Sequence, residues 1–254
     1  MREVSLVKGV FMSASGIIRI PILPMNMVNA YAIFQEQAVI LFDAGLPGSE
    51  AKVRKALQDH GYDFEDVGLI VISHAHVDHA GNAARLSQLC QAPILAHAGD
   101  LAYYQRQRRM SFCSTGWFGR LFLKSGLMYQ DYTAFTPDIL LSHQQSFALH
   151  EFGIAGTVHA TAGHTAGSLV IELENQEVLA GDLLASGILL GGIVWQDRPK
   201  QPPFEDDSLA TALALERLLE RGACCFHLGH GGPLADQAVR NHVHALRRIG
   251  NTRQ

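Results

Sequence analysis

The chain has 254 residues, 20 Lys+Arg against 24 Asp+Glu, a formal net charge of -4 and 48% hydrophobic residues. That much apolar chain can bury a substantial core, which excludes a disordered or fibrous protein, and the mild acidity gives no global electrostatic case for nucleic acid or an anionic membrane. The four cysteines, Cys90, Cys113, Cys224 and Cys225, form no C-x-x-C pair and no disulfide framework, so a reducing compartment is expected.

In chain order, the N-terminal MREVSLVKGVFMSASGIIRI lacks the continuous apolar stretch and cleavage site of a signal peptide. No run approaches the ~18 apolar residues of a membrane span. The expectation is a cytoplasmic protein with no membrane partner. Residues 4–12 and 16–23 are rich in β-branched residues and broken by Ser, Gly and Pro, which predicts strands. Residues 29–34 and 38–42 read as a hairpin around Gln35-Glu36-Gln37, its second run ending in Asp43-Ala44-Gly45. Ser49 can cap a helix with Val53, Ala56 and Leu57 on its apolar face, stopped by Gly61. Residues 67–72 form a buried strand that delivers the chain to His74, residues 81–90 resume helical spacing, and residues 93–96 are another short strand.

Residues from about 100 to 137 break this rhythm with aromatic and basic side chains, and read as an insertion with helical pieces near a functional site. Strands are predicted again at 147–152, 154–159, 168–173, 177–180 and 224–228. Helices are predicted at 206–222, with acidic caps, and at 235–249, with Val239, Val243, Leu246 and Ile249 on one face. Cys224 and Cys225 are expected to pack in the core. No linker interrupts the chain, which implies a single domain over residues 1–254 made of two similar halves.

One pattern recurs: an apolar strand ends in a polar residue beside glycine. AVILFDAG ends at Asp43, LIVISHAHVDHAG at His74 to His79, EVLAGD at Asp182 and CCFHLGHG at His230. Layered α/β proteins gather their active sites at strand ends, so these residues point to one shared site. In His74-x-His76-x-Asp78-His79, residues two apart share a face, and a turn after His74 aims His74 and His76 at one ion. Asp78 and His79 at the following helix entrance point to a neighbouring ion. TAGHT places His164 in a loop after a strand, and glycines around Asp182 and His230 allow close backbone approach. Five histidines and two aspartates suffice for two ions with room for water, and Asp182 can bridge both. Imidazole with carboxylate suits Zn, Fe or Mn, and the scarcity of cysteine argues against a closed structural zinc site.

HAHVDH at 74–79, AGHTAGS at 162–168, AGD at 180–182 and GHGG at 229–232 together resemble the metallo-β-lactamase superfamily of hydrolases. DAG at 43–45 and SLATALALERLL at 208–219 also fit, so the resemblance spans nearly the whole chain apart from the insertion. It implies an α/β fold arranged as a four-layer αββα sandwich with the metals at one edge of the two sheets. It also implies that His74, His76 and His164 hold one divalent ion, Asp78, His79 and His230 a second, and that Asp182 bridges. His76 and Asp78 together match the hydrolases rather than flavo-diiron proteins, where a Glu usually stands in place of His76.

The chemistry expected of such a site is hydrolysis. Two divalent ions, with zinc the first expectation and iron or manganese the others, lower the pKa of a shared water and give hydroxide near neutral pH. The metal-bound hydroxide attacks a polarised carbonyl, Asp78 passes the proton to the leaving group, and Asp43 fixes a ligand from behind. A small ester, thioester or lactone is the expected substrate, with no nucleic-acid partner. The alternatives are a phosphodiesterase of the same fold and a non-catalytic metal-bound sensor or effector. Lactone-opening relatives often carry a Tyr soon after the bridging Asp, whereas here Leu183-Leu184-Ala185-Ser186 follows. Trp117 to Phe122 is read as a lid or a homodimer interface in preference to a membrane-touching patch, and Arg106, Arg108 and Arg109 as a solvated face or a contact for an anionic substrate.

Overall fold

The computed structural model describes residues 15–188, 191 and 194–252, so the strand expected at 4–12 lies outside the described residues. β1 (Gly16–Leu23), β2 (Val28–Gln35) and β3 (Ala38–Phe42) form an antiparallel meander. α1 (Glu50–Gln58) follows Ser49, which stands at the N-cap but makes no side-chain capping bond. β4 (Val67–Val71) then runs parallel to β3. The helix expected over 81–90 is α3 (Ala83–Cys90), which starts after Asn82 at φ -110° and ψ 7°, and a separate short helix, α2 (Val77–Ala80), precedes it. β5 (Ile94–His97) lies parallel to β4.

The segment read as an insertion contains α4 (Leu101–Tyr104) and α5 (Trp117–Lys124). It is followed by β6 (Ile139–Leu141), which no sequence signal announced and which extends the first sheet parallel to β5. The second sheet begins with β7 (Ser146–Ala148). The strand predicted over 147–152 stops early because residues 150–152 turn in a 3-10 helix ending at Gly153, φ 75°. β8 (Gly156–Ala160), β9 (Leu169–Leu173) and β10 (Glu177–Leu179) follow, then a two-stranded ribbon of β11 (Ala185–Ser186) and β12 (Pro199–Lys200). Asp207 caps α6 (Ser208–Glu220) by accepting from the backbone N–H groups of Leu209 and Ala210. β13 (Cys225–His227), β14 (Leu234–Ala235) and α7 (Asp236–Thr252) close the described chain.

The two sheets run β1-β2-β3-β4-β5-β6 and β14-β13-β10-β9-β8-β7. Their facing sides meet through Tyr31, Ile40, Phe42, Leu69, Val71, Val158, Ile171 and Leu179. The outer side of the first sheet packs Leu41, Ile70 and Ile72 against Val53, Leu57 and Leu86 of α1 and α3. The outer side of the second packs Val178 and Phe226 against Leu215, Leu218, Val239 and Val243 of α6 and α7. The layers are therefore helix, sheet, sheet, helix. Because β3 and β4 are buried on both faces, they read as unbroken apolar runs rather than alternating ones.

The expectation for Cys224 and Cys225 is corrected. Along β13 Phe226 takes the core position and alternation leaves Cys225 half-buried on the other face, while Cys224 stands before the strand and is exposed. Among the described residues, no helix is long and apolar enough to cross a membrane.

Parallel register sets the location of the site. Phe42 pairs with Val71, and Leu179 with His227, so each pair of strands ends level. Asp43 and Ser73-His74 thus leave one sheet at the rim where Asp182 and His230 leave the other. The sheets are joined there by hydrogen bonds from Leu169 N to Ser73 O (2.8 Å) and from Asn29 N to Gly229 O (2.8 Å).

Candidate metal centre

His74 stands three residues past the end of β4, and His76 keeps extended backbone (φ -63°, ψ 148°) before α2 starts, so both rings turn to one point while Asp78 and His79 occupy the first turn of α2. The loop from β8 to β9 carries His164, the end of β10 leads to Asp182, and the end of β13 leads to His230. All seven predicted ligands converge. His74, His76 and His164 form one close group of ligand atoms, Asp78, His79 and His230 another, and His74, His79 and Asp182 a third that overlaps both. Six of the seven are 4% exposed or less, whereas the Asp78 side chain retains 13%.

In the first group, His74 Nε2 lies 3.0 Å from His76 Nδ1, and His164 Nε2 lies 3.1 Å and 3.2 Å from those two atoms. Zinc–nitrogen bonds of about 2.0–2.1 Å in a tetrahedron separate their nitrogens by about 3.3–3.4 Å. A triangle of three ring nitrogens cannot be mutually satisfied by one proton per neutral imidazole, and a cation at its centre satisfies all three. The Asp182 carboxylate sits between the groups, with Oδ2 3.0 Å from His230 Nε2 and 3.7 Å from His164 Nε2, and Oδ1 3.5 Å from His79 Nε2. His79 Nε2, Asp78 Oδ1 and Asp182 Oδ1 are buried without a hydrogen-bond partner. Orphaned buried donors and acceptors of this kind are costly unless something binds them, so the residues present fit divalent cations.

For His79, His230 and His74 the far side of the ring fixes the tautomer. His79 Nδ1 donates to Asp43 Oδ2 at 2.8 Å, and His230 Nδ1 donates to the backbone carbonyl of Met27. Ser73 Oγ donates to Asp43 Oδ2 at 2.9 Å, which leaves it to accept from His74 Nδ1, also at 2.9 Å. The Nε2 lone pairs of these three rings are thereby turned into the cage, as in ligand histidines generally, while His76 presents Nδ1. Asp43 holds this position at φ 66°, a left-handed conformation that Asp adopts more readily than most residues.

Electrostatics divide the cage. Burial pushes the His76 and His164 imidazoles down to about 3, and His74 well below its ordinary value. For His79, burial is outweighed by the carboxylates of Asp182, Asp43 and Asp78, which raise it well above. His230 is raised in the same way, burial yielding mainly to Asp182. Asp182, which burial alone would push up, is held well below the usual carboxylate range by His230 and His79. One group is a neutral triad and the other binds protons tightly when no cation is there.

Two residues that brace the cage, Asp100 and Ser73, lay outside the sequence reading, whereas the close approach expected at the glycines around His230 is seen at Gly229. Asp100 is fully buried, accepting from Ala75 N (3.0 Å) and Thr165 Oγ1 (2.9 Å) on Oδ2 and from Gly167 N (3.0 Å) on Oδ1. It ties the loop of His74 and His76 to the loop of His164. A signal for it exists, since AGD at 98–100 repeats the AGD at 180–182. Ser73 relays Asp43 to His74. Gly229 lies so close to the cage that a Cβ there would collide with Asp182 Oδ1 and His79 Cε1. His227 and His159, both near ligand loops, pair instead with Glu177 (2.6 Å) and Glu172 (3.1 Å).

The segment between β5 and β6 and the stretch between β12 and α6 together form the roof. Phe122, Met128, Pro203 and Phe204 narrow the cleft over His76, Asp78, His164, Asp182 and His230. The Phe112 ring packs 5.0 Å from His76, and Tyr132 Oη donates to Ala75 O at 3.1 Å. Trp117 and Leu121, on the outer face of α5, are exposed.

A four-layer sandwich with a buried His/Asp cage at its rim is the architecture of a metal-dependent hydrolase. The chain belongs to the metallo-beta-lactamase superfamily, whose family model matches residues 23–230. The "Uncharacterized protein YobT" of Bacillus subtilis (strain 168) is 27% identical over 227 residues, 84% of this chain and 87% of its own length. The "Probable metallo-hydrolase YflN" of the same strain is 24% identical over 239 residues, 88% of each chain. The crystal structure of the metallo-beta-lactamase family protein TTHA1429 from Thermus thermophilus superposes with a TM-score of 0.64, covering 94% of this chain and 80% of that one at 24% identity.

Proposed function

We propose that this chain is a dinuclear hydrolase of a small ester, thioester or lactone. In this reading His74, His76 and His164 hold one divalent ion, Asp78, His79 and His230 hold the other, and Asp182 bridges. The observation that carries it is the Asp182 carboxylate set between the two groups, with one oxygen facing His230 and His164 and the other facing His79. The nitrogen and oxygen donor set favours zinc, with iron or manganese as alternatives. Bound there, such ions supply Lewis acidity and an activated water near neutral pH.

The protein's own residues do the rest. Asp43 and Ser73 hold the His79 and His74 rings in the tautomer that presents Nε2 inward. Asp100 keeps the two ligand loops at fixed separation, and preorganisation of that kind lowers the cost of reaching the transition state. Phe122, Met128, Pro203 and Phe204 restrict water over the cage. Asp78, the most exposed member, takes up a proton on its carboxylate and returns it to the leaving group. Because both sheets contribute ligands, the cage supports reading residues 1–254 as one domain, and the bare Trp117–Leu121 face of α5 supports a lid or a dimer contact.

The test is metal content and turnover together. Purified protein should carry about two divalent ions per chain and hydrolyse members of a panel of esters, thioesters and lactones, and His76→Ala should lose turnover. Full metal loading with no turnover of any of these, or of a phosphodiester, would sink the hydrolytic reading in favour of a metal-bound sensor.

A further inference from the structure

A cavity of about 400 Å³ opens beside the cage, between the His76 loop and the segment that follows α4, with Tyr103, Arg106, Arg108, Arg109 and Tyr132 in its wall. It shares His76 and Met128 with the cleft over the cage, so one molecule can occupy both. The chain as a whole is acidic, with a net charge of -4, yet three arginines within four positions face this space. Arg106 is neutralised by an ion pair with Asp131 and lies 5.5 Å from the Tyr132 ring centre. Arg108 and Arg109 differ. The Arg108 guanidinium lies 5.7 Å from the Tyr103 ring centre and that of Arg109 4.5 Å from Tyr129. Among the described residues neither forms an ion pair with a carboxylate.

An aromatic face positions a guanidinium without cancelling its charge. A guanidinium fork is matched by the paired oxygens of a carboxylate or phosphate. We propose that the substrate is an ester or thioester carrying a second, anionic group, a carboxylate or a phosphate, which Arg108 and Arg109 hold while the scissile bond reaches the cage past His76. The proposal rests on the hydrolytic reading of the cage. The reaction needs only water: the acyl carbon gains the hydroxyl, its bond to oxygen or sulfur breaks, and the leaving atom takes the proton.

The metal-loaded protein is tested on two matched substrates, the 4-nitrophenyl half-ester of succinate and neutral 4-nitrophenyl butyrate. The half-ester should be favoured in kcat/KM by about ten- to a hundredfold, the range of lost charge-assisted hydrogen bonds. Arg108→Ala/Arg109→Ala should bring the ratio towards one, Arg109→Lys should leave an intermediate ratio, and the remote Arg85→Ala should not change it. Competitive inhibition by succinate and by inorganic phosphate identifies which anion the site prefers. A ratio near one in the parent protein, or a ratio indifferent to the double substitution, overturns the proposal. If neither ester is turned over, the hydrolytic reading is what has failed. Calorimetric binding of succinate and phosphate then decides the anion site by itself: weakening of about tenfold in the double variant supports it, and equal binding by both proteins overturns it.

Discussion

Asp43 Oδ2 lies 2.8 Å from Nδ1 of His79, across 36 positions of sequence, and the same oxygen accepts the Ser73 hydroxyl that receives His74 Nδ1. A single carboxylate oxygen therefore sets the tautomer of one imidazole in each candidate ligand group. Replacing it with an amide that presents NH₂ to His79 forces the ring to flip its proton onto Nε2, the nitrogen aimed at the cage. Asp43→Asn is expected to lower turnover and affinity for the ion at Asp78, His79 and His230 by about ten- to a hundredfold, with the fold retained. Metal titration and kcat on the purified variant check this. Unchanged metal affinity would mean that His79 needs no such anchor.

Acidification should empty the two groups unequally. His79 and His230 are raised by the surrounding carboxylates, whereas His74, His76 and His164 are lowered by burial. A cation must displace protons from the first pair but not from the triad, and proton competition grows as pH falls. The expected outcome on dialysis through decreasing pH is stepwise loss, with the ion near His79 and His230 leaving first. His230→Ala should remove that early step. Simultaneous release of all metal would contradict the division.

Burial pushes the Asp100 carboxyl up to about 6, despite the hydrogen bonds it accepts from Thr165, Ala75 and Gly167. Its folded pKa exceeds the unfolded value of about 3.9, so the stability it contributes is fully present below about pH 4 and is lost as pH rises through about 6. That loss is on the order of 3 kcal/mol for a shift of this size. Asp100→Asn lacks the ionisation but leaves one N–H of the loops facing NH₂. The variant should therefore be less stable than the parent near pH 5 and approach it near pH 7.5, as read by denaturant unfolding. A stability difference independent of pH would show that Asp100 does not titrate in this range.

Gly229→Ala places a methyl group where Asp182 Oδ1 and His79 Cε1 already sit. One of those side chains must move: His79 belongs to the second ligand group, and Asp182 lies between the two. Turnover should fall to background while thermal stability drops by far less than complete unfolding. Crystallography or metal analysis of the variant would locate the displaced ligand, and full activity would show that the cage has slack not visible in its packing.

Much of this was legible in the chain. Apolar runs ending in polar residue plus glycine marked the strand ends, and HAHVDH put four ligand-type residues within six positions. The element boundaries that shifted did so for local reasons: α3 starts past Asn82 rather than at Gly81, and the four residues of α2 and the three of β6 are too few to carry a period. Asp100 escaped notice because its three donors come from Ala75, Thr165 and Gly167, two loops far from it in sequence.

The sequence by itself determined which residue types could bind a cation, and that they stand at the ends of buried strands. Only the tertiary structure decided that Met27 O orients His230, that Asp43 serves both ligand groups, and that Arg108 and Arg109 face the same cleft as His76. The reason is physical. Residue chemistry and periodicity are local properties of a chain, whereas the far side of an imidazole and the wall of a cavity are supplied by whichever strand end or loop the packing of two sheets brings alongside.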